Sequence, residues 1–336
     1  MPDLLTPLSL GPLKFRNRIV MPPMWSGQAT PEGLVTDNII DYHRRRAAAG
    51  CGLVIVEHAF VHARGRHTPT QLGVHTDATL EGLQKLAAAV RSEGAVVCLQ
   101  ISHAGSRASS RVLGMRPVAP TSVRHPYEAE GDIPEALTAG MIDEILQAFG
   151  DAAVRARSAG FSAVELHAAH GFLLSQFLSP LTNLRTDEYG GPIENRSRLH
   201  LAALESVRAR LGQDFPVFVR LGAHDETAGG LELDDSCWTA VKLAAAGASL
   251  IDVSGGLQGS RGMGKGAAYF VPYARAIKAV VTVPVLVTGG ISEPALADRA
   301  VREGWADLIG IGRAMLNDPD WARKAIAHLS MARRPS

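Results

Sequence analysis

Short apolar runs rich in β-branched residues recur along the chain, and a longer segment with helical spacing follows most of them. Eight runs read as strands: RIVMPPM (18–24), GLVIVEH (52–58), AVVCLQISH (95–103), SAVELHA (162–168), PVFVRLGA (216–223), SLIDVSG (249–255), VPVLVTGG (283–290) and ADLIGIGR (306–313). Most lack the polar alternation of a half-exposed strand, which suits strands covered on both faces, as in a parallel sheet. Between them, TLEGLQKLAAAVRSEG (79–94) places Leu80, Leu83, Leu86, Ala87 and Val90 along one face and stops at Gly94. The segments 141–160, 234–247 and 293–304 repeat the pattern, and Pro294 suits a first helical turn. Strand–helix alternation repeated eight times predicts an α/β fold, a (β/α)₈ barrel. An open doubly wound sheet fits less well, because no GxGxxG follows an early strand with an acidic residue about 20 positions on.

LSLGPLKF (8–15) carries a Gly-Pro turn between two short apolar arms and predicts a hairpin closing the bottom of the barrel. The longest connection follows the third strand, roughly 104–140, and is rich in Ser, Gly, Pro and Arg, as functional loops often are. No linker or low-complexity stretch interrupts the chain, so residues 1–336 are expected to form one domain.

Charge changes the picture by exclusion. The chain has 34 basic and 33 acidic residues and a formal net charge of +1, which gives no electrostatic case for nucleic acid or an anionic membrane. No apolar run approaches the roughly 20 residues that span a bilayer. The opening MPDLLTPLSLG lacks a basic region followed by an apolar stretch, so no signal peptide is expected. Cys51, Cys98 and Cys237 are widely spaced and odd in number; reduced thiols in a cytoplasmic protein are the expected reading.

Barrel active sites form at the C-terminal strand ends. Those ends hold Met24 and Trp25; Glu57 and His58; Gln100 and His103; His167 and His170; Arg220; Ser254 and Gly255; Gly289 and Gly290; Gly312 and Arg313. Polar groups ending apolar strands are costly to bury unpaired, which favours a ligand. The glycines of VTGGIS and GIGR let backbone N–H groups approach a phosphate, and Arg313 adds a fork of donors. Ordinary Gly-rich turns are the alternative. Gln100 offers both donor and acceptor to a pyrimidine-like ring edge. Arg220 either joins it or forms an ion pair with Asp225 or Glu226.

The run HAAHGFLLSQFLSPLTNLRTDEYGGPIENRSRL (167–199) resembles the signature of the Old Yellow Enzyme family, FMN-dependent ene-reductases on a (β/α)₈ barrel. NRIVMPPM, FVRLGA and VTGGIS…ADLIGIGRAML extend the likeness over essentially the whole chain, in the manner of the short single-domain members. The resemblance implies non-covalent FMN, with NADH or NADPH as electron donor. Gln100 and Arg220 would contact the flavin pyrimidine edge, Pro23 and Met24 would flank the ring, and His58 would sit beside it. Gly289, Gly290, Gly312 and Arg313 would hold the phosphate. His167 and His170 would bind the carbonyl oxygen of an α,β-unsaturated substrate, whose activated C=C bond accepts hydride from flavin N5. Arg185, Asp187, Tyr189 and Arg196 would order the loop after the fourth barrel strand.

Two positions depart from the family pattern. Phe172 stands where Tyr usually donates a proton to the substrate, so water or Tyr269 would have to supply it, or the main reaction is a dehydrogenation, isomerisation or quinone reduction. Trp25 stands where Thr or Cys usually meets flavin O4, and its bulk would reshape the substrate pocket. The resemblance also implies a homo-oligomer, dimer or tetramer, in which Arg333 or Arg334 could reach a neighbouring active site; a frayed basic tail is the alternative. Two rival functions remain open: a metal-dependent barrel hydrolase or lyase using His103, His167 and His170, and a flavin-binding protein without efficient turnover.

Overall fold

The computed structural model describes residues 1–260 and 266–332. Its strands, in chain order, are β1 (Leu8–Leu10), β2 (Leu13–Phe15), β3 (Ile19–Met21), β4 (Leu53–Phe60), β5 (Val96–Ser102), β6 (Val118–Ala119), β7 (Glu135–Ala136), β8 (Ala163–Ala168), β9 (Val217–Gly222), β10 (Leu250–Ser254), β11 (Val285–Thr288) and β12 (Leu308–Gly310). Eight of them close into a parallel barrel in the order β3-β4-β5-β8-β9-β10-β11-β12, with β12 pairing back onto β3. Each expected strand is present, and the fold is the (β/α)₈ barrel that the periodicity predicts.

The helices lie outside the barrel because each has one apolar stripe to bury. Leu80–Ser92 buries Leu83, Leu86, Ala87 and Val90 against the strands. Ala139–Ser158 buries seven residues from Ile142 to Ala156, and its N-terminus is capped by Thr138, whose side chain accepts from Met141 N. Pro294 opens Pro294–Arg302, where its missing N–H costs nothing. The connection after β5 is partly ordered: it carries a helical turn at Gly105–Arg107, a short helix at Ser110–Leu113, and the parallel pair β6 and β7.

Side chains alternate along a strand, so the barrel interior is filled in tiers. The lowest tier is apolar: Val20, Leu53, Ile55, Cys98, Ala163, Phe218, Leu250, Leu286 and Leu308. Leu13 and Phe15 of the β1–β2 hairpin join that cluster from beneath, which explains why the hairpin exists: it seals the open end. Two residues beyond Cys98, Ala163, Phe218, Leu250 and Leu286 the tier turns polar, with Gln100, Glu165, Arg220, Asp252 and Thr288. Gly310 belongs to the same tier, and a Cβ there would lie 1.9 Å from Thr288 Oγ1, so β12 needs glycine for the barrel to close. The lower tiers are structural and the upper end is chemical.

Phe15 is 1% exposed at the centre of this seal. Phe15→Ala is expected to lower unfolding free energy by about 3–5 kcal/mol, read from urea melts. A loss below about 1 kcal/mol would mean the hairpin is not part of the core.

Candidate active site

The polar tier is organised around Arg220. Its Nε lies 3.2 Å from Asp252 Oδ2, and the pair is buried, with Asp252 fully so. The ion pair weighed from the sequence as the alternative to a ligand contact was with Asp225 or Glu226. Instead Asp225 accepts from Ser179 Oγ, Leu231 N and Leu257 N, tying together the loops above β9 and β10. The register that sets Arg220 beside Asp252 on β10 also sets it beside His167 on β8. Gln100 Nε2 donates to Glu165 Oε1 at 2.8 Å. Glu165 and Asp252 are each pushed up from the usual carboxylate range, first by burial; Arg220 opposes the shift at both.

One tier higher stand the two histidines. His167 lies one residue before the end of β8 and is buried, and its Nδ1 has no hydrogen-bond partner among the described residues. His170 adopts φ +59° and Gly171 φ +70°, a left-handed pair that turns the chain sharply after the strand. A non-glycine residue there is strained, and such strain persists where surrounding contacts fix it. Here His170 N donates to Gly255 O, and Arg107 Nη1 donates to His170 O at 2.7 Å. The turn brings the two imidazole centroids to 5.0 Å, edge to face. Burial is the first cause that holds both rings well below the ordinary imidazole range. The His170 and His58 rings come next for His167, and the Arg220 and Arg107 charges come next for His170. Both are therefore neutral at physiological pH and each offers one N–H.

Ser254 decides which nitrogen of His170 carries it. Arg220 Nη2 donates to Ser254 Oγ at 3.5 Å, and that hydroxyl lies 2.6 Å from His170 Nε2. A hydroxyl that accepts from the guanidinium still has its own proton to give, and with Ser254 as the donor to Nε2, His170 carries its proton on Nδ1. His58 is fixed in the opposite tautomer. Gln71 Oε1 accepts from His67 N, so its amide nitrogen faces His58 Nδ1 at 2.7 Å and leaves the proton on Nε2. Burial, then the neighbouring His67, lowers the His58 ring to about 3.

Phe172 sits at the centre of this ring cluster. It stacks on His167 at 4.5 Å, meets His58 edge-on at 5.0 Å and His67 at 5.4 Å, and has the Arg107 guanidinium 5.9 Å from its centroid. The remaining expected residues fall into a second cluster. Gly289 and Gly290 have φ +153° and +69°, and a Cβ on either would strike the Tyr269 ring. Arg313 donates to the Tyr269 hydroxyl at 3.2 Å, and a Cβ on Gly312 would approach Met24 Sδ at 3.1 Å. Tyr269 thus lies on the glycine turn. Pro23 is buried, Met24 half-buried, and Trp25 is 50% exposed with its ring against Gly27. Glu57 Oε2 accepts from Ser26 N and so anchors this segment; burial raises its carboxyl to about 7 despite that bond. His103 turns away from the pair, its ring stacked against His62. Arg333 and Arg334 lie outside the described residues.

The signature segment is ordered by its own side chains. Arg185 pairs with Asp187 and donates to Pro120 O and Leu137 O, while Arg196 pairs with Asp235 and donates to Leu178 O. Asp252, Glu165, Gln71 and Arg107 were not identified from the sequence. The first two could have been found by counting two residues back from Ser254 and His167.

The arrangement fits a flavin nucleotide. The Arg220 Nε and both Asp252 oxygens lack hydrogen-bond partners among the described residues, beneath a mouth lined by neutral imidazoles. Fold and site together define a (β/α)₈ barrel with a polar mouth suited to a flavin nucleotide. A model of the NADH:flavin oxidoreductase / NADH oxidase family matches residues 3–331. The chain belongs to this family, whose members use FMN with NADH or NADPH. It is 40% identical to the NADH oxidase of Thermoanaerobacter brockii over 331 residues, covering 96% of this chain and 50% of that protein. It is 36% identical to the NADPH dehydrogenase of Bacillus subtilis (strain 168) over 328 residues, covering 97% and 95%. The chain spans about half the length of the NADH oxidase and of a 38% identical metal reductase from Desulforamulus reducens. Among solved structures it is similar to the old yellow enzyme homologue of Zymomonas mobilis, with TM-score 0.84, 28% identity and coverage of 99% and 94%. It is also similar to 2-naphthoyl-CoA reductase, with TM-score 0.90, 28% identity and coverage of 97% and 52%.

The tautomer assignment has a direct test. In ¹⁵N spectra of the imidazoles, His170 is expected to be protonated on Nδ1, and Ser254→Ala is expected to move that proton toward Nε2. An unchanged ring in the variant would remove Ser254 from this role.

Proposed function

We propose that the protein is an FMN-dependent NAD(P)H oxidoreductase that reduces the activated C=C bond of α,β-unsaturated carbonyl compounds. The observation that carries this reading is the neutral His167–His170 pair held over the Arg220 tier. Bound FMN would supply the hydride chemistry, taking electrons from NADH or NADPH and passing them to the substrate. Gln100 and Arg220 would hold its pyrimidine edge, with Pro23, Met24, Trp25 and His58 around the ring. Gly289, Gly290, Gly312 and Arg313 would hold its phosphate, with Tyr269 bracing the turn.

The chain's own chemistry follows from the two imidazoles. The N–H groups of His167 and His170 converge on a carbonyl oxygen and stabilise the negative charge that grows there as the double bond is attacked. Being neutral, they donate hydrogen bonds without giving up a proton. Phe172 keeps the volume of a ring beside the substrate and provides no acid, so the proton for the α-carbon comes from elsewhere. That observation favours a second reading, in which the same site works mainly as a dehydrogenase, isomerase or quinone reductase. The proposal also includes a single FMN-binding domain and a homo-oligomer. No helix among the described residues is long and apolar enough to cross a membrane.

The yellow protein, reduced without air by NADPH or NADH, is expected to reoxidise on addition of a cyclic enone. Reoxidation by quinones alone would sink the ene-reductase reading and favour the second. Phe172→Tyr is expected to raise enone turnover by about 10²-fold or more, the usual value of a positioned acid. Unchanged turnover would show that the missing hydroxyl is not what limits the reaction.

A further inference from the structure

The mechanism above uses Arg220 and leaves its buried partner unexplained. Asp252 is fully buried, makes one ion pair at 3.2 Å, and neither of its oxygens has a hydrogen bond among the described residues. A structural carboxylate at such depth is normally saturated with donors, because an ion pair with spare lone pairs recovers little of the desolvation cost. This one is held by a single guanidinium, and that guanidinium faces two ways. Its Nε points to Asp252 and its Nη2 points upward to Ser254 beneath His170.

Among the carboxylates around the mouth, Asp252 is the one paired with Arg220; Glu57 on β4, raised to about 7 by burial, accepts from Ser26 N instead. On β5, Gln100 is uncharged and donates to Glu165, and the Cys98 thiol is pushed well above its ordinary value by burial and then by Glu165 and Asp252. On β8, Glu165 is pushed toward its neutral form by burial and then by Asp252, and His167 above it is neutral. On β11 the facing side chain is Thr288, which does not titrate. Below lie Cys98 and the apolar residues of the lowest tier. The resting cluster therefore holds one cation, Arg220, and one anion, Asp252.

We propose that Asp252 takes up a proton when the FMN bound above Arg220 is reduced, so that the barrel interior stays electrically balanced. This rests on the flavin placement proposed above. A hydride delivers two electrons and one proton, which leaves the bound flavin one unit more negative. That charge competes with Asp252 for the single guanidinium. Asp252 then loses its compensating cation, and a neutral carboxylic acid becomes its stable form. The balance is NAD(P)H + oxidised FMN + Asp252 carboxylate + H⁺ giving NAD(P)⁺ + reduced anionic FMN + Asp252 carboxylic acid, with the extra proton drawn from water. Asp252 never touches the substrate; it acts on the flavin through Arg220.

The test is the midpoint potential of the FMN-loaded protein as a function of pH. Each proton bound per two electrons contributes about 30 mV per pH unit. The wild-type protein is expected to show about 60 mV per pH unit between about pH 6 and pH 8, and Asp252→Asn about 30. Glu165→Gln and Glu57→Gln are each expected to keep the steeper slope, because neither side chain makes the ion pair with Arg220 that Asp252 makes. A wild-type slope of about 30, or a steep slope retained in Asp252→Asn, would overturn the inference. So would a slope lost in Glu165→Gln alone. Should Asp252→Asn not retain FMN, the redox difference infrared spectrum of the wild type decides: a carboxylic acid C=O band must appear on reduction, and its absence overturns the inference. A protein that binds no FMN at all would instead overturn the flavin placement.

Discussion

A guanidinium inside a barrel is the constraint on which the rest of this structure depends. Arg220 points into the interior because alternation along β9 puts it two residues above Phe218, and nothing in that position can reach water. An unpaired charge there would be prohibitive. Asp252, delivered by the next strand in register, makes it tolerable. The pair then fixes what can be built above it. Arg220 orients Ser254, Ser254 orients His170, and the charge of Arg220 helps to keep His170 neutral.

The same logic explains why the site is rich in histidine and poor in ionised groups. Burial and neighbouring cations hold His58, His167 and His170 in their neutral forms, so the mouth of the barrel presents directed N–H donors without fixed positive rings. That is the environment in which a developing oxyanion gains most, since preorganised dipoles in a dry site need not reorganise. Phe172 fits this setting as a packing group: its contacts are rings and the face of a guanidinium.

The barrel was legible because strands buried on both faces leave continuous apolar runs, and all eight runs became strands. The helix Asp37–Ala48 was not, since DNIIDYHRRRAA carries three arginines; it forms through its Thr36 cap and by burying Ile39, His43, Arg46 and Ala47. Most of the proposed site residues were read from strand ends, where polarity is conspicuous. Asp252 and Glu165 escaped because they sit mid-strand among apolar neighbours and belong to no motif. Gln71 and Arg107 escaped because they reach the site from loops, whose paths follow from tertiary packing and not from local pattern.

The central claim is that one tier of buried charge places a flavin edge, and that the two imidazoles above it bind a carbonyl oxygen. A crystal structure with FMN and an unreactive carbonyl ligand tests both halves at once. The flavin pyrimidine edge should meet Gln100 and Arg220, and the ligand oxygen should lie about 2.7–3.2 Å from a nitrogen of each of His167 and His170. A ligand oxygen held elsewhere, or a flavin whose pyrimidine edge faces away from Arg220, would contradict the account.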